Sequence, residues 1–168
     1  MLDLCAPREA DLPLLLEYRR EVLLADGDFD GTAGLGSFAI PADWLARLRI
    51  LSSPDAERRG WLRTFVTLAF DAGELIGIAN IRPTSDPVTR SSGHIGYHVR
   101  PSMRRRGYGR ELLLAATSLC REHGIECPLV CIEAENEASI RTALSAGYVP
   151  DGEIPHPEYG RILRYRAG

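Results

Sequence analysis

Residues 93–124 read GHIGYHVRPSMRRRGYGRELLLAATSLCREHG, and the punctuation of this stretch decides the fold. His94–Val99 reads as a strand, and Pro101 stops it because proline has no N–H to extend a ladder. Arg104-Arg105-Arg106-Gly107-Tyr108-Gly109 then opens directly into an amphipathic helix, Gly109 to His123. Leu112, Leu113, Ala116 and Leu119 hold helical spacing, and Gly124 closes the helix. A helix start leaves backbone N–H groups without partners and carries partial positive charge. Glycines at alternate positions let that backbone approach an oxygen-rich ligand closely, and arginines add charge and donors. Strand, arginine, two glycines, helix: this order describes a diphosphate site.

Other readings of the same residues fit less well. A dinucleotide fingerprint needs a third glycine where Leu112 stands, and Glu133, in range as its acid, lies in a different topology. A nucleic-acid contact would suit the arginine triplet, but the chain is acidic and no aromatics are interleaved. The plain alternative is a solvated basic turn followed by an ordinary helix, and it must also account for the rest of the chain.

That chain has 168 residues, 45% apolar and 26% charged, with a net charge of -3. These values suit one globular domain spanning residues 1–168 and give no global attraction to nucleic acid or an anionic membrane. Every basic residue is arginine, which excludes a Schiff-base lysine and a Walker phosphate loop. Cys5, Cys120, Cys127 and Cys131 form no CxxC pair, so zinc or dithiol chemistry lacks its signature and the thiols are expected to be buried and structural. No metal site is expected. Neither a signal peptide nor a run of about 20 apolar residues is visible, which makes a cytoplasmic protein the expectation.

Outward from the decisive stretch, a short strand is expected over Leu2–Ala6 and a helix from Glu9 to Ala25. DGDFDGTAGLGSF (residues 26–38) holds four glycines and three aspartates and reads as a mobile loop, long enough to be a functional lid. A helix follows from Pro41 to Ser52, then a hairpin of Leu62–Phe70 and Leu75–Arg82 around Asp71–Glu74. Past the central helix come a strand at Leu129–Glu133, a helix from Glu137 to Ala146, and two short strands between Tyr148 and Arg166. The pattern specifies an α/β chain with a mixed sheet and helices on both faces.

Arg104-x-x-Gly107-x-Gly109 after Tyr97-His98-Val99 resembles the coenzyme A loop of the GNAT superfamily of N-acetyltransferases. Ala134-Glu135-Asn136-Glu137-Ala138-Ser139-Ile140-Arg141, followed by Ala146-Gly147-Tyr148, resembles that superfamily's second half. More narrowly, GHIGYHVRPSMRRRGYG and the tail DGEIP (residues 151–155) are similar to a group of bacterial acetyltransferases without assigned substrates. The resemblance covers about Trp61 to Arg166. It implies a GNAT fold, a mostly antiparallel central sheet whose fourth and fifth strands are parallel and splay apart. Acetyl-CoA is then a co-substrate whose arm enters the gap. Main-chain groups of Tyr97, His98 and Val99 pair with the arm like an added strand. Backbone amides across Arg104, Arg105, Arg106, Gly107, Tyr108, Gly109 and Arg110 hold the diphosphate. Asn136 contacts the arm from the other side, or serves only as a helix N-cap toward Ala138 or Ser139.

Direct acetyl transfer to a primary amine needs a base, because an alkylammonium has a pKa of about 10. His94 and Glu133, on the strands that flank the gap, are the candidates, each weighed against a merely packed or solvated strand residue. By alternation His94 and His98 share a face. A main-chain amide, that of Val99, is expected to polarise the thioester carbonyl. Family members often use a tyrosine seven residues after the asparagine to protonate the thiolate; here that position is Ala143, leaving Ser139, water or nothing. Tyr148 reads as a packing residue. The acceptor is a small-molecule or peptide amine, a homodimer is compatible with the chain, and other acyl donors such as propionyl or succinyl are a variant. The contrasting class is a non-catalytic acyl-CoA-binding or regulatory domain.

Overall fold

The computed structural model describes residues 2–84 and 86–168. Its elements run β1 (Asp3–Cys5), α1 (Leu12–Ala25), α2 (Pro41–Leu51), α3 (Asp55–Arg58), β2 (Phe65–Asp71), β3 (Glu74–Ile81), α4 (Thr89–Ser92), β4 (Ile95–Val99), α5 (Tyr108–Glu122), β5 (Leu129–Glu133), α6 (Glu137–Ser145), β6 (Val149–His156) and β7 (Gly160–Arg166). The expected elements are all present with ends shifted by a few residues. The single-turn helices α3 and α4 are additions, too short for hydrophobic periodicity to mark.

Two antiparallel sheets replace the single sheet anticipated from sequence. One is ordered β1-β2-β3-β4 and the other β5-β7-β6. β4 and β5, expected to splay apart, share no ladder. The two strands meet only at their starts, where the His94 N–H donates to Leu129 O at 2.7 Å.

A bulge shifts the alternation by which the first sheet serves two cores. Ala69 pairs with Gly77 and Phe70 with Leu75, so Ile76 is the extra residue and the alternation shifts there. Leu75 and Ile78 consequently pack under α1 and α2 with Tyr18, Val22, Trp44 and Leu45. Ile76, Ala79 and Ile81 face the opposite way, onto Leu112, Leu113, Ala116 and Cys120 of α5. That second core continues into Val130 and Ile132 of β5, Ala143 of α6 and Tyr165 of β7. One helix therefore joins the two sheets that strand pairing leaves apart.

The thiols divide differently from expectation. Cys120 is buried, Cys5 and Cys131 are partly buried, and Cys127 is exposed, because it lies in the turn before β5 and not within the apolar strand. All four are free. Among the described residues no helix is long and apolar enough to cross a membrane.

Because α5 supplies the shared core, truncating its fully buried Leu112 to alanine should destabilise the protein by about 2–5 kcal/mol. Urea unfolding measures this; a loss below about 1 kcal/mol would show that α5 does not clamp the sheets.

Candidate active site

The open side of β4 follows from its ladder. Arg100 N–H donates to Ile76 O and Arg82 N–H to His94 O, both at 2.8 Å. Even-numbered residues of this strand thus bond β3, and in an antiparallel pair the alternate residues point their main-chain groups the other way. Ile95, Tyr97 and Val99 face the split. His98 does not: its main chain belongs to the ladder with Ile78, which removes it from the expected set of arm-binding groups.

At the end of β4 the chain turns into α5. Arg105 has φ +66° and Gly107 φ +88°. Gly107 is the N-cap, and no side chain caps the helix. A Cβ on Gly107 would meet no atom within 4 Å, so the space above the uncapped amides is open. Arg105 and Arg106 are exposed. The other two arginines of this segment are bonded to other parts of the chain. Arg110 Nε donates to Ser145 O at 2.8 Å and ties α5 to α6. Arg104 Nε donates to Val99 O at 3.1 Å. Tyr108 donates through its hydroxyl to Asp71 Oδ2 at 2.6 Å.

Across the split stands α6. Asn136 Oδ1 accepts the Ser139 N–H at 3.0 Å, the N-cap anticipated from sequence. The Tyr97 hydroxyl crosses from β4 to lie 2.9 Å from Ser139 Oγ. Burial raises the Tyr97 phenol pKa above its ordinary value, so the group stays protonated. Ala143, where the family's tyrosine would stand, is fully buried in the core. Tyr148 is a packing residue, buried and bonded to Thr117 Oγ1 at 2.7 Å.

The His98 ring lies on the opposite face, 7% exposed, and joins a buried chain that no sequence pattern disclosed. Arg104 Nη2 donates to its Nε2 at 3.1 Å. A guanidinium is always a donor, so Nε2 must accept and Nδ1 must carry the proton in the neutral ring. Nδ1 therefore donates to the Tyr18 hydroxyl, and Tyr18 in turn donates to His98 O at 3.3 Å. Arg104 also pairs through Nη1 with Asp26, whose carboxyl it holds below the usual carboxylate range. Burial, with Arg104 beside it, lowers the His98 pKa to about 4.

This chain anchors the segment expected to be a mobile lid. The segment is anchored at its middle, though Asp26, Asp28 and Asp30 are exposed: Thr32 and Leu35 are fully buried, and Trp44 Nε1 donates to Ala33 O at 3.2 Å. Gly31 lies so near β4 that a Cβ there would fall 2.2 Å from Tyr97 O. Asn80 Nδ2 fixes Gly31 O at 2.6 Å. The apolar residues hidden among the glycines turn a flexible composition into a seated loop.

The same loop brings acids together. Asp30 lies beside Glu133. Burial, then the neighbouring Asp30 and Asp28, raises the Glu133 pKa above the ordinary carboxyl value. Asp30 is raised too, by burial and then Asp28. Glu158, in the β6–β7 turn, adds to both. His94 is elsewhere. Its Nδ1 accepts the Leu129 N–H at 3.0 Å, and burial lowers its pKa. It latches the closed end of the split, and its one acceptor nitrogen is already used. No cluster of three or more His, Cys, Asp or Glu able to hold a metal occurs among the described residues.

Comparison with known proteins identifies the family and the fold. The sequence profile of the Acetyltransferase (GNAT) family matches residues 34–148. No curated protein sequence matches the chain. A Salmonella typhimurium acetyl transferase that modifies the N-terminal serine of ribosomal protein L7/L12 superposes with a TM-score of 0.70 at 18% identity, over 98% of this chain and 93% of that one. The protein yncA from Salmonella typhimurium, solved with its cofactor acetyl-CoA, gives 0.66 at 20% identity over 98% and 92%. A ribosomal-protein-alanine N-acetyltransferase from Brucella melitensis gives 0.64 at 25% identity over 98% of each chain.

The His98 pKa predicts an acid weakness. The folded value of about 4 lies below the unfolded value near 6.5. Its contribution is therefore complete above pH 6.5, shrinks as pH falls toward 4, and changes no further below that. The loss is on the order of 3 kcal/mol. In urea melts across this window, His98→Gln should lose less stability than the unaltered protein; parallel curves would refute the neutral-ring assignment.

Proposed function

This chain belongs to the Acetyltransferase (GNAT) family, and we propose that it transfers an acetyl group from acetyl-CoA directly to a primary amine. One observation carries the reading. The outward main-chain edge of β4 ends beside the uncapped first turn of α5, where a Cβ on Gly109 would lie 3.9 Å from Val99 Cγ2. A thioester arm satisfies the first as an added strand, and the attached diphosphate satisfies the second. Tyr97 and Val99 supply the strand groups; the amides from Arg105 through Arg110 face the phosphates, the Arg104 N–H being taken by Pro101 O at 3.2 Å, and the exposed side chains of Arg105 and Arg106 add charge.

The chemistry distributes over the two sides of the split. The Val99 N–H faces the thioester carbonyl and stabilises the negative charge that develops on its oxygen. The amine nitrogen forms a bond to the carbonyl carbon as the carbon–sulfur bond breaks. The ammonium proton passes to Glu133, directly or through water, and the raised pKa of its carboxyl suits that role. The leaving thiolate, whose conjugate thiol has a free pKa near 8.5, takes a proton from the Tyr97–Ser139 hydroxyl pair. Thus a phenol delivered from β4 stands in for the tyrosine that α6 lacks. Asn136 caps α6 and presents its Nδ2 to the arm.

Isothermal calorimetry with coenzyme A tests the donor site. Replacing Gly107 by valine puts a branched side chain at φ +88° over the amides and should weaken binding at least tenfold with unchanged far-UV circular dichroism. No heat with the unaltered protein would end the assignment.

Thiol release tests the transfer step. Glu133→Gln should lower kcat about 10²–10³-fold and flatten the rise of kcat with pH, since only the deprotonated carboxyl accepts a proton. Tyr97→Phe should lower kcat with little change in KM for acetyl-CoA. Unchanged kcat in both would remove these residues from the mechanism.

A further inference from the structure

Behind the seated loop lies a cavity of about 560 Å³, bounded by residues 33–37, α2, the segment before β2 and the end of β3. Its polar lining consists of Ser37, Arg47, Thr64, Asn80 and Arg82, with Trp61 as its aromatic wall. No carboxylate lines it among the described residues. Arg82 makes three bonds, all to uncharged oxygens: Nε to Gly93 O at 3.0 Å, Nη1 to Asn80 Oδ1 at 3.2 Å and Nη2 to Ser92 O at 2.8 Å. Burial lowers its pKa. The Arg47 guanidinium stacks over Trp61 at 4.6 Å from the ring centre, and Arg59 approaches the same ring at 5.5 Å. Neither Arg47 nor Arg82 has an ion pair among the described residues. Two guanidiniums with spare donors in a concave, partly apolar space form a receptor for a carboxylate.

The cavity adjoins the proposed transfer site. Asn80 lines it and also holds Gly31 O, and Gly31 rests on the Tyr97 main chain that faces the split. Before Gly31 in sequence, Asp28 and Asp30 face Glu133 and Glu158; after it, Ala33, Gly34 and Ser37 face Arg47 and Arg82. The loop therefore has a negative side toward the split and a positive side toward the cavity.

We propose that the cavity binds the carboxylate of the acceptor, which is a small molecule bearing both an amine and a carboxylate, as a free amino acid does. This rests on the acetyl-transfer reading and narrows its acceptor. The carboxylate meets Arg47 and Arg82, and the substituent lies against Trp61. An amine with no anionic group, such as a polyamine or an amino-acid amide, offers nothing to either guanidinium.

Trp61 supplies a readout that does not depend on turnover. Its fluorescence is titrated in the intact chain with the twenty free amino acids, their carboxamides and spermidine, with Trp61→Phe as the signal control. At least one free amino acid should saturate, with its carboxamide binding at least tenfold more weakly. Arg47 is exposed on α2, so Arg47→Ala should fold normally and weaken the acid at least tenfold while leaving the carboxamide unaffected. Failure of every free amino acid to perturb Trp61, equal binding of acid and amide, tighter binding of spermidine, or indifference to Arg47→Ala each overturns the proposal. Coenzyme A calorimetry on the same sample separates the two readings. If coenzyme A binds and the titration fails, the acceptor assignment alone falls; if coenzyme A does not bind, the transfer reading falls whatever Trp61 reports.

Discussion

The separation of β4 from β5 is the constraint on which the rest of the molecule depends. Main-chain N–H and C=O groups are obligatory hydrogen-bonding groups, and a strand edge inside a protein leaves a row of them without partners. Here the two strands touch through His94 and Leu129 and then belong to different sheets. No strand ladder holds the halves together; besides a few bonds such as Tyr97–Ser139 and Arg110–Ser145, they are joined by the apolar core that α5 shares with both. Hydrophobic burial is non-directional and roughly proportional to area. It can therefore join two sheets while leaving their edges free, which a continuous ladder could not.

The arginines near that opening show how one residue type is put to two uses. Arg105 and Arg106 are exposed, whereas Arg104 is drawn inward by Val99 O, His98 and Asp26. A guanidinium has five donors in a fixed fork, enough to bond the end of β4, a neutral imidazole and a loop carboxylate together. The loop is thereby tied to the strand whose far edge is open. Gly31 completes the tie, since at φ +81° and in contact with the Tyr97 backbone it leaves no room for a side chain.

Much of this was legible in the sequence. The strand stop at Pro101, the glycines at 107 and 109 and the apolar spacing of α5 marked the helix start, because local backbone rules act over a few residues. The same applies to the Asn136 cap. The loop was half legible. Its glycines and aspartates announced a loop, but Leu35 and Thr32 are buried within it, and composition averages do not register two anchoring side chains. His94 and His98 were both visible as titratable groups on one strand. Only their surroundings separate a latch on Leu129 from a buried ring between Tyr18 and Arg104.

By itself, the sequence determined the order of elements, the uncapped helix start and the missing tyrosine at Ala143, because each depends on neighbours within about one turn of chain. Tertiary structure alone decided that Tyr97 reaches Ser139, that Glu133 shares its field with Asp30 and Glu158, and that Arg47 and Arg82 frame one cavity. Those groups lie tens of residues apart, and electrostatic and packing interactions depend on distance through space. No spacing along the chain encodes that distance until the core has closed.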